Sequence, residues 1–247
     1  MPLSNSANHF LASLSSQDSE SVRSLLRPMD LPLGAVFFRA EDIINRIYFP
    51  SSGVVSLVVG VSTGHFVEAG MFGRNTVIGA STLLDGSVAL NQAIGLVKGS
   101  GMVGERSDLK GLADRSGTLR KSFAAHEQAI FAHVQQVAVC NNVHELEARF
   151  CRWLLQLRDL IQSDSLPLTH ESLAEMLGVQ RSSVTLAALR LQTAGLISYR
   201  RGQIQIRDVA GIRTAACECY DAINLHYQHL TGWTPGLIKP GLTREHA

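Results

Sequence analysis

The alternation of apolar and polar positions divides the chain into successive textures. From Asn8 to Arg27, Phe10, Leu11, Leu14, Val22, Leu25 and Leu26 recur at helical spacing and predict a short amphipathic lead-in helix. From Leu31 to about Gly104 the apolar runs shorten. Ala35–Phe38, Ile47–Phe49, Val54–Val59 and Phe66–Glu68 are rich in β-branched and aromatic residues. Turn signals at Ser52-Gly53, Thr63-Gly64, Phe72-Gly73 and Asp85-Gly86 punctuate them, which predicts a small β-barrel or roll. Beyond Gly117 the period is helical, with Phe123, Ile130, Val134, Val137, Asn141 and His144 forming a heptad-like seam on one long helix. Such a stripe needs a cover. The same helix of a second subunit is the expected one, with Phe123, Ile130, Val134, Val137 and Asn141 at the dimer interface; packing on the chain's own β domain is the alternative. Asn141-Asn142-Val143 reads as a hinge, and Glu145–Ile161 as a new amphipathic helix carrying Phe150, Trp153, Leu154 and Leu157.

The stretch Thr169–Ile206 is the most specific. Thr169 caps a first helix, Glu171 suits its positive end, and Leu173, Ala174, Met176 and Leu177 form its apolar stripe. Gly178 ends it, and a second helix follows with Val184, Ala188 and Leu191 inward and Gly195 at its close. This is a helix-turn-helix, whose second helix enters the DNA major groove. On the opposite face Arg181 can read guanine, Ser182 is a tolerant hydrogen-bond partner, and Thr185 offers a methyl to thymine. Leu186 can press on a thymine methyl or tuck inward. Ile197, the basic turn Arg200-Arg201-Gly202 and Gln203–Ile206 predict a β-wing with its tip arginines on phosphates. The expected DNA-binding set is Thr169, His170, Gln180, Arg181, Ser182, Ser183, Thr185, Leu186, Arg200 and Arg201. Asp208 can cap a further helix, marked by Ile212, Ala216, Cys219, Ile223, Tyr227 and Leu230, that is expected to pack back on the DNA domain.

At 247 residues and a net charge of +1, the chain is no general polyanion binder; arginine is concentrated locally in the helix-turn-helix and wing. No apolar run is long enough for a membrane span, and the N-terminus lacks the pattern of a secretory signal, so a cytoplasmic location is expected. Cys140, Cys151, Cys217 and Cys219 lack metal-site spacing, Cys217-x-Cys219 being a weak motif, and read as buried reduced thiols. No metal and no cofactor is expected; a haem would have only His65 or Pro2 as isolated ligand candidates. No nucleophile–base, paired-carboxylate or phosphate-loop pattern appears, so an enzyme is not expected.

A β-roll, a long helix, a hinge and a C-terminal winged helix, in that order, resemble the cyclic-AMP receptor and fumarate–nitrate regulator (Crp/Fnr) family. The resemblance rests most on Thr169–Ile206, then on Glu145–Leu157, and less on Tyr48-Phe49, Ser52-Gly53, Gly73 and Ile78-Gly79 in the roll. It implies an α+β fold with a sensor roll at 1–117, a dimerisation helix and hinge at 118–144, and a DNA-binding domain at 145–247. It also implies a homodimer on palindromic double-stranded DNA, in contact with RNA polymerase. Ala80 stands where cyclic-nucleotide-binding members carry a ribose carboxylate, and Asn91-Gln92 where they carry the Arg-Ser pair for the phosphate. Cyclic AMP is therefore not the expected effector, and no other is identified. Leu186 replaces a base-reading arginine, so the operator should differ from the family's commonest one. A sensor whose output is protein contact remains the alternative function.

Overall fold

The structure is a computed structural model and describes residues 8–234 except Thr63, Asp85 and Ser87. Pro2, two expected turn residues (Thr63 and Asp85) and the end of the tail lie outside the described residues. The lead-in is two helices, α1 (His9–Ser13) and α2 (Ser16–Ser24), because Ser15 takes extended backbone and its hydroxyl caps α2 at Asp18 N–H. The Asp18 carboxylate in turn accepts from Ser116 Oγ (2.7 Å) and Thr118 Oγ1 (2.6 Å), tying this lead-in to the start of the long helix.

The expected roll is present. One antiparallel sheet orders β1 (Arg27–Leu31), β7 (Gly99–Glu105) and β3 (Arg46–Pro50); the other orders β2 (Val36–Phe38), β6 (Gln92–Val97), β4 (Val54–Gly60) and β5 (Phe66–Phe72). The turn at Gly53 needs glycine for two reasons. Its φ is +76°, and a Cβ there would stand 2.7 Å from the Val97 carbonyl oxygen. Gly79, also at positive φ, leads into a 3-10 turn over Ala80–Leu84, and α3 (Arg106–Arg115) follows the roll where no helix was expected.

The long helix α4 spans Gly117–Val143, about 40 Å at the usual helical rise. The chain breaks at His144 and Glu145, whose backbones are extended; Asn141 and Asn142 are still helical, so the hinge lies just after the expected pair. Then come α5 (Leu146–Ile161), β8 (Ser165–Leu166), α6 (His170–Leu177), α7 (Arg181–Thr193), β9 (Ile197–Arg200), β10 (Gln203–Ile206), α8 (Val209–Ala215) and α9 (Cys219–Thr231).

The seam on α4 corrects the sequence reading. Phe123 and Val137 are 0% and 6% exposed within the single chain, in one core with the roll and with Ile223 and Tyr227 of α9. They are thus not at hand for a partner. Ile130, Val134 and Asn141 are half-buried. The tail also divides differently from expectation. Asp208 caps α8, which packs on α5 beside the helix-turn-helix, whereas α9 crosses over and lies along α4.

A buried polar cluster joins the halves. Glu68 of β5 accepts from Trp153 Nε1 (2.8 Å) on α5 and from Ser56 Oγ (2.7 Å) on β4. Nearby, Tyr227 Oη lies 3.3 Å from His133 Nδ1, and Gln156 Nε2 lies 3.4 Å from His133 Nε2. Burial strips water from both ionisable groups: it raises Glu68 to about 7, against the smaller opposing effects of its two hydrogen bonds and Arg152, and lowers His133 to about 3.

The native Glu68 carboxyl keeps its proton to about pH 7, whereas the unfolded one loses it near 4.5, so the folded state binds the extra proton between those values. Its contribution to stability therefore falls as pH rises through that window, by on the order of 3 kcal/mol. Glu68→Gln should flatten this part of the pH–stability curve and raise the melting temperature at pH 8 relative to the parent. Parallel thermal unfolding curves for both proteins from pH 5 to 8 would refute the assignment.

Candidate nucleic-acid interface

Local chemistry fixes the reading head. Thr169 Oγ1 accepts from Ser172 N–H (3.1 Å) and Ser172 Oγ accepts from Thr169 N–H (3.1 Å), a reciprocal cap that sets where α6 begins. Gly178 ends α6 at φ +65°, and α7 starts after Gln180, which makes no side-chain cap bond. Leu173, Ala174, Leu177, Val184, Ala188 and Leu191 are buried together with α5 and the wing, holding α7 in place.

With that face committed, Arg181, Ser182, Thr185 and Leu186 point outward; Ser183 is half-buried. Arg181 is 69% exposed on its side chain, and its Nε lies 3.4 Å from Glu171 Oε2, a contact weak enough in water to be exchanged for a stronger acceptor. Thr185 Oγ1 bonds the Arg181 carbonyl (3.0 Å) and lies 3.0 Å from His170 Nδ1. The His170 ring stacks on Tyr199 of the wing, centroids 4.2 Å apart. Partial burial, helped by the Arg181 charge, lowers its proton affinity, so His170 braces Thr185 as a neutral ring. Leu186 is 51% exposed, which settles the two readings of that position in favour of the outward one.

The wing is a three-stranded sheet, β8-β10-β9. Arg201 and Gly202, at φ 47° and 75°, form the two-residue turn between β9 and β10, and Arg200 and Arg201 stand exposed at its tip. The expected DNA-binding set thus falls on α6, α7 and the wing, with Thr169 and Gln180 at the N-cap positions of the two helices. The sequence reading passed over Leu189 and Arg190, exposed on the same face of α7, although Leu189 stands four residues beyond Thr185 and so shares its side. The turn between α6 and α7 also rests on the roll. A Cβ at Gly178 would meet Val67 at 3.2 Å, and Ser56 Oγ lies 3.5 Å from Met176 Sδ.

A second constellation lies behind the hinge. Cys140 on the last turn of α4 and His144 just beyond it meet Cys217, in the α8–α9 connection, and Cys219, the first residue of α9, with all four ligand atoms within 4.8 Å of one another. All four cysteines are free and buried, as expected, but three of them cluster here; only Cys151 lies apart, its thiol raised to about 12 by burial. Cys140 shares a hydrogen bond with Cys217, and that bond chiefly lowers its thiol below the usual range, with Arg152 adding to the effect. The i, i+4 spacing of Cys140 and His144 was the available signal, but nothing in the sequence brings it to Cys217-x-Cys219.

In the roll, Ala80, Leu83 and Ala93 are fully buried in the core, and Arg106 of α3 donates to the carbonyls of Thr82 (3.2 Å) and Gly86 (3.0 Å). Backbone oxygens therefore hold that guanidinium at the turn after Gly79. Among the described residues, no helix is long and apolar enough to cross a membrane.

Residues 148–215 match the family model of the Crp-like helix-turn-helix domain. No curated protein matches the chain significantly. Among solved structures, FixK2 from Bradyrhizobium japonicum is similar at 16% identity and TM-score 0.67, over 78% of this chain and 98% of that one. The c-di-GMP-responsive global regulator CLP of Xanthomonas campestris has 16% identity and TM-score 0.64, over 78% and 100%. A Crp/Fnr-family transcriptional regulator from Eubacterium rectale has 18% identity and TM-score 0.63, over 82% and 94%. Residues 148–215 thus match the Crp-like helix-turn-helix domain, and 78–82% of the chain shares the fold of these three structures.

Proposed function

We propose that the chain is a sequence-specific DNA-binding transcription regulator, acting as a homodimer on a two-fold operator under control other than cyclic AMP. The observation that carries the reading is the outward face of α7, where Arg181, Ser182, Thr185 and Leu186 stand in solvent beside the basic tip of the wing. Arg181 offers two donors to the N7 and O6 of guanine, Leu186 offers apolar contact to a thymine methyl, and Arg200 and Arg201 hold phosphates. A regulator of this kind works in the cytoplasm and passes its signal to RNA polymerase rather than transforming a substrate. Within this reading residues 1–117 sense, 118–144 dimerise and 145–247 bind DNA, with α9 returning to the sensor side.

The dimer face moves with the correction to α4. Its inner stripe is occupied, and the solvent side carries Ala124, Gln128, Phe131, Gln135, Ala138 and Asn142 at alternating steps of four and three. Phe131 is 63% exposed, and Val139 and Val143 flank the stripe at 53% and 61%. Small and amide side chains around one aromatic suit close approach by the same helix of a second copy, and a two-fold pair presents two α7 helices to half-sites about one DNA turn apart. In the roll, the absence of a carboxylate at Ala80, the Asn91-Gln92 pair and the committed Arg106 support control by something other than a cyclic nucleotide.

Selection from random duplex DNA with ligand-free protein at fixed salt should enrich a two-fold motif with half-sites about ten base pairs apart. Failure of the folded protein to enrich any motif would count against sequence-specific DNA binding and for the sensor whose output is protein contact. Arg181→Ala should weaken specific binding by about 1–3 kcal/mol and relax one base position, while Arg200→Ala should weaken all sequences alike and lower the salt slope by about 1. Equal loss on specific and random DNA for Arg181→Ala would reassign it to a phosphate. Phe131→Asp should shift the mass in solution to that of a monomer at an unchanged circular dichroism spectrum; an unchanged mass rules out the α4 face.

A further inference from the structure

The four ligand-type side chains behind the hinge come from two segments that meet only in the fold. Cys140 Sγ lies 3.4 Å from Cys217 Sγ, and Cys219 Sγ lies 3.6 Å from His144 Nδ1. A tetrahedral ion with metal–sulfur bonds of about 2.3 Å and metal–nitrogen bonds of about 2.0 Å needs ligand atoms roughly 3.5–3.8 Å apart. Those two pairs already stand near that spacing, and the 4.8 Å that bounds the set would close by about one ångström on binding. The geometry points to a structural zinc site in which Cys140, Cys217 and Cys219 bind through Sγ and His144 through Nδ1.

Three features outside the ligand set favour a metal over a simple thiol cluster. His144 presents its other ring nitrogen, Nε2, to Glu218 Oε1 at 3.1 Å. That carboxylate fixes the tautomer with the proton on Nε2, leaving the Nδ1 lone pair directed to the ion, as second-shell carboxylates do for zinc-bound histidine. Arg149 and Arg152 are 8% and 2% exposed, and the Nε of each has no hydrogen-bond partner among the described residues. Three thiolates and one zinc ion leave a net negative charge that buried guanidiniums would offset. A disulfide between Cys140 and Cys217 would use two of the four groups and give Cys219, His144 and its carboxylate no role.

Binding displaces the three thiol protons and oxidises nothing. All four positions are protein-filled, so the site is closed and structural rather than catalytic. Its ligands come from the last turn of α4, the hinge, the α8–α9 connection and the first residue of α9, so the ion staples α4 to the tail at the point where the chain changes direction.

The test uses the full chain, expressed with zinc and dialysed against metal-free buffer. Mass spectrometry of the metal content should find about one zinc per chain, and replacement by cobalt(II) should give the thiolate charge-transfer and tetrahedral ligand-field bands of such a set. Cys217→Ser and Cys219→Ser should lose the stoichiometric metal, while Cys151→Ser keeps it. Because buried cysteine variants can misfold, the exposed Glu218→Ala is the second arm: competition with a chromophoric chelator should show zinc bound about 10–100-fold more weakly at an unchanged circular dichroism spectrum. Dialysed protein free of zinc and giving no cobalt spectrum with its thiols reduced would overturn the proposal. So would a cobalt spectrum unaltered in Cys217→Ser and Cys219→Ser, or a zinc affinity unaltered by Glu218→Ala.

Discussion

The fold turns on the burial of one face of α4 by the chain's own elements. That face includes two histidines, an expensive choice unless each is satisfied without charge. His126 Nε2 accepts from Val77 N–H at 2.9 Å, which anchors α4 to the roll, and its Nδ1 lies 3.3 Å from Glu127. His133 sits among Tyr227, Gln156 and the ring of Phe72, bringing α9, α5 and the roll to one point on the helix. An apolar stripe alone could slide by a turn against its neighbours. Polar partners at fixed positions along it hold a single register, and so set where α4 ends and where α5 departs.

The same register determines how the reading head meets the roll. Trp153 reaches Glu68 because α5 leaves α4 at the right place, and this lays Gly178 against Val67 and Met176 near Ser56. The two halves are thus coupled through β4 and β5, whose shape any occupant of the roll would have to alter to be felt at the α6–α7 turn. Coupling of this type needs no long pathway, since one sheet edge touches both.

The parts of this arrangement legible in sequence are those written by neighbouring residues. The Thr169–Ser172 cap, the positive-φ Gly178 and Gly195, and the arginine turn of the wing are each decided within a few positions, and the helix-turn-helix follows from them. What covers a stripe is decided elsewhere in the chain. Phe123 and Val137 carry the same heptad signal whether a second subunit or the chain itself covers them, and here the chain does, with Phe10 stacked on Phe123 and α9 lying along α4. The cysteines show the same limit: 77 residues separate Cys140 from Cys217, and spacing rules built on local clusters do not reach across that gap. Leu186 was undecided in the sequence because an exposed leucine and a core leucine share one pattern; only the placement of Val184, Ala187 and Ala188 fixes it outward.

That α9 closes over α4 has a consequence for how the protein is made. His133 and Tyr227 are 94 residues apart, and at a synthesis rate of about 5–20 residues per second the helix is complete roughly 5–20 s before its cover exists. During that interval the nascent roll displays the part of α4 that α9 later covers, with His133 still short of Tyr227. The order of translation therefore makes α9 the helix that seals the core of the roll, and a chain cut short after the wing would lack both that cover and the α8 and Tyr220 packing behind the helix-turn-helix.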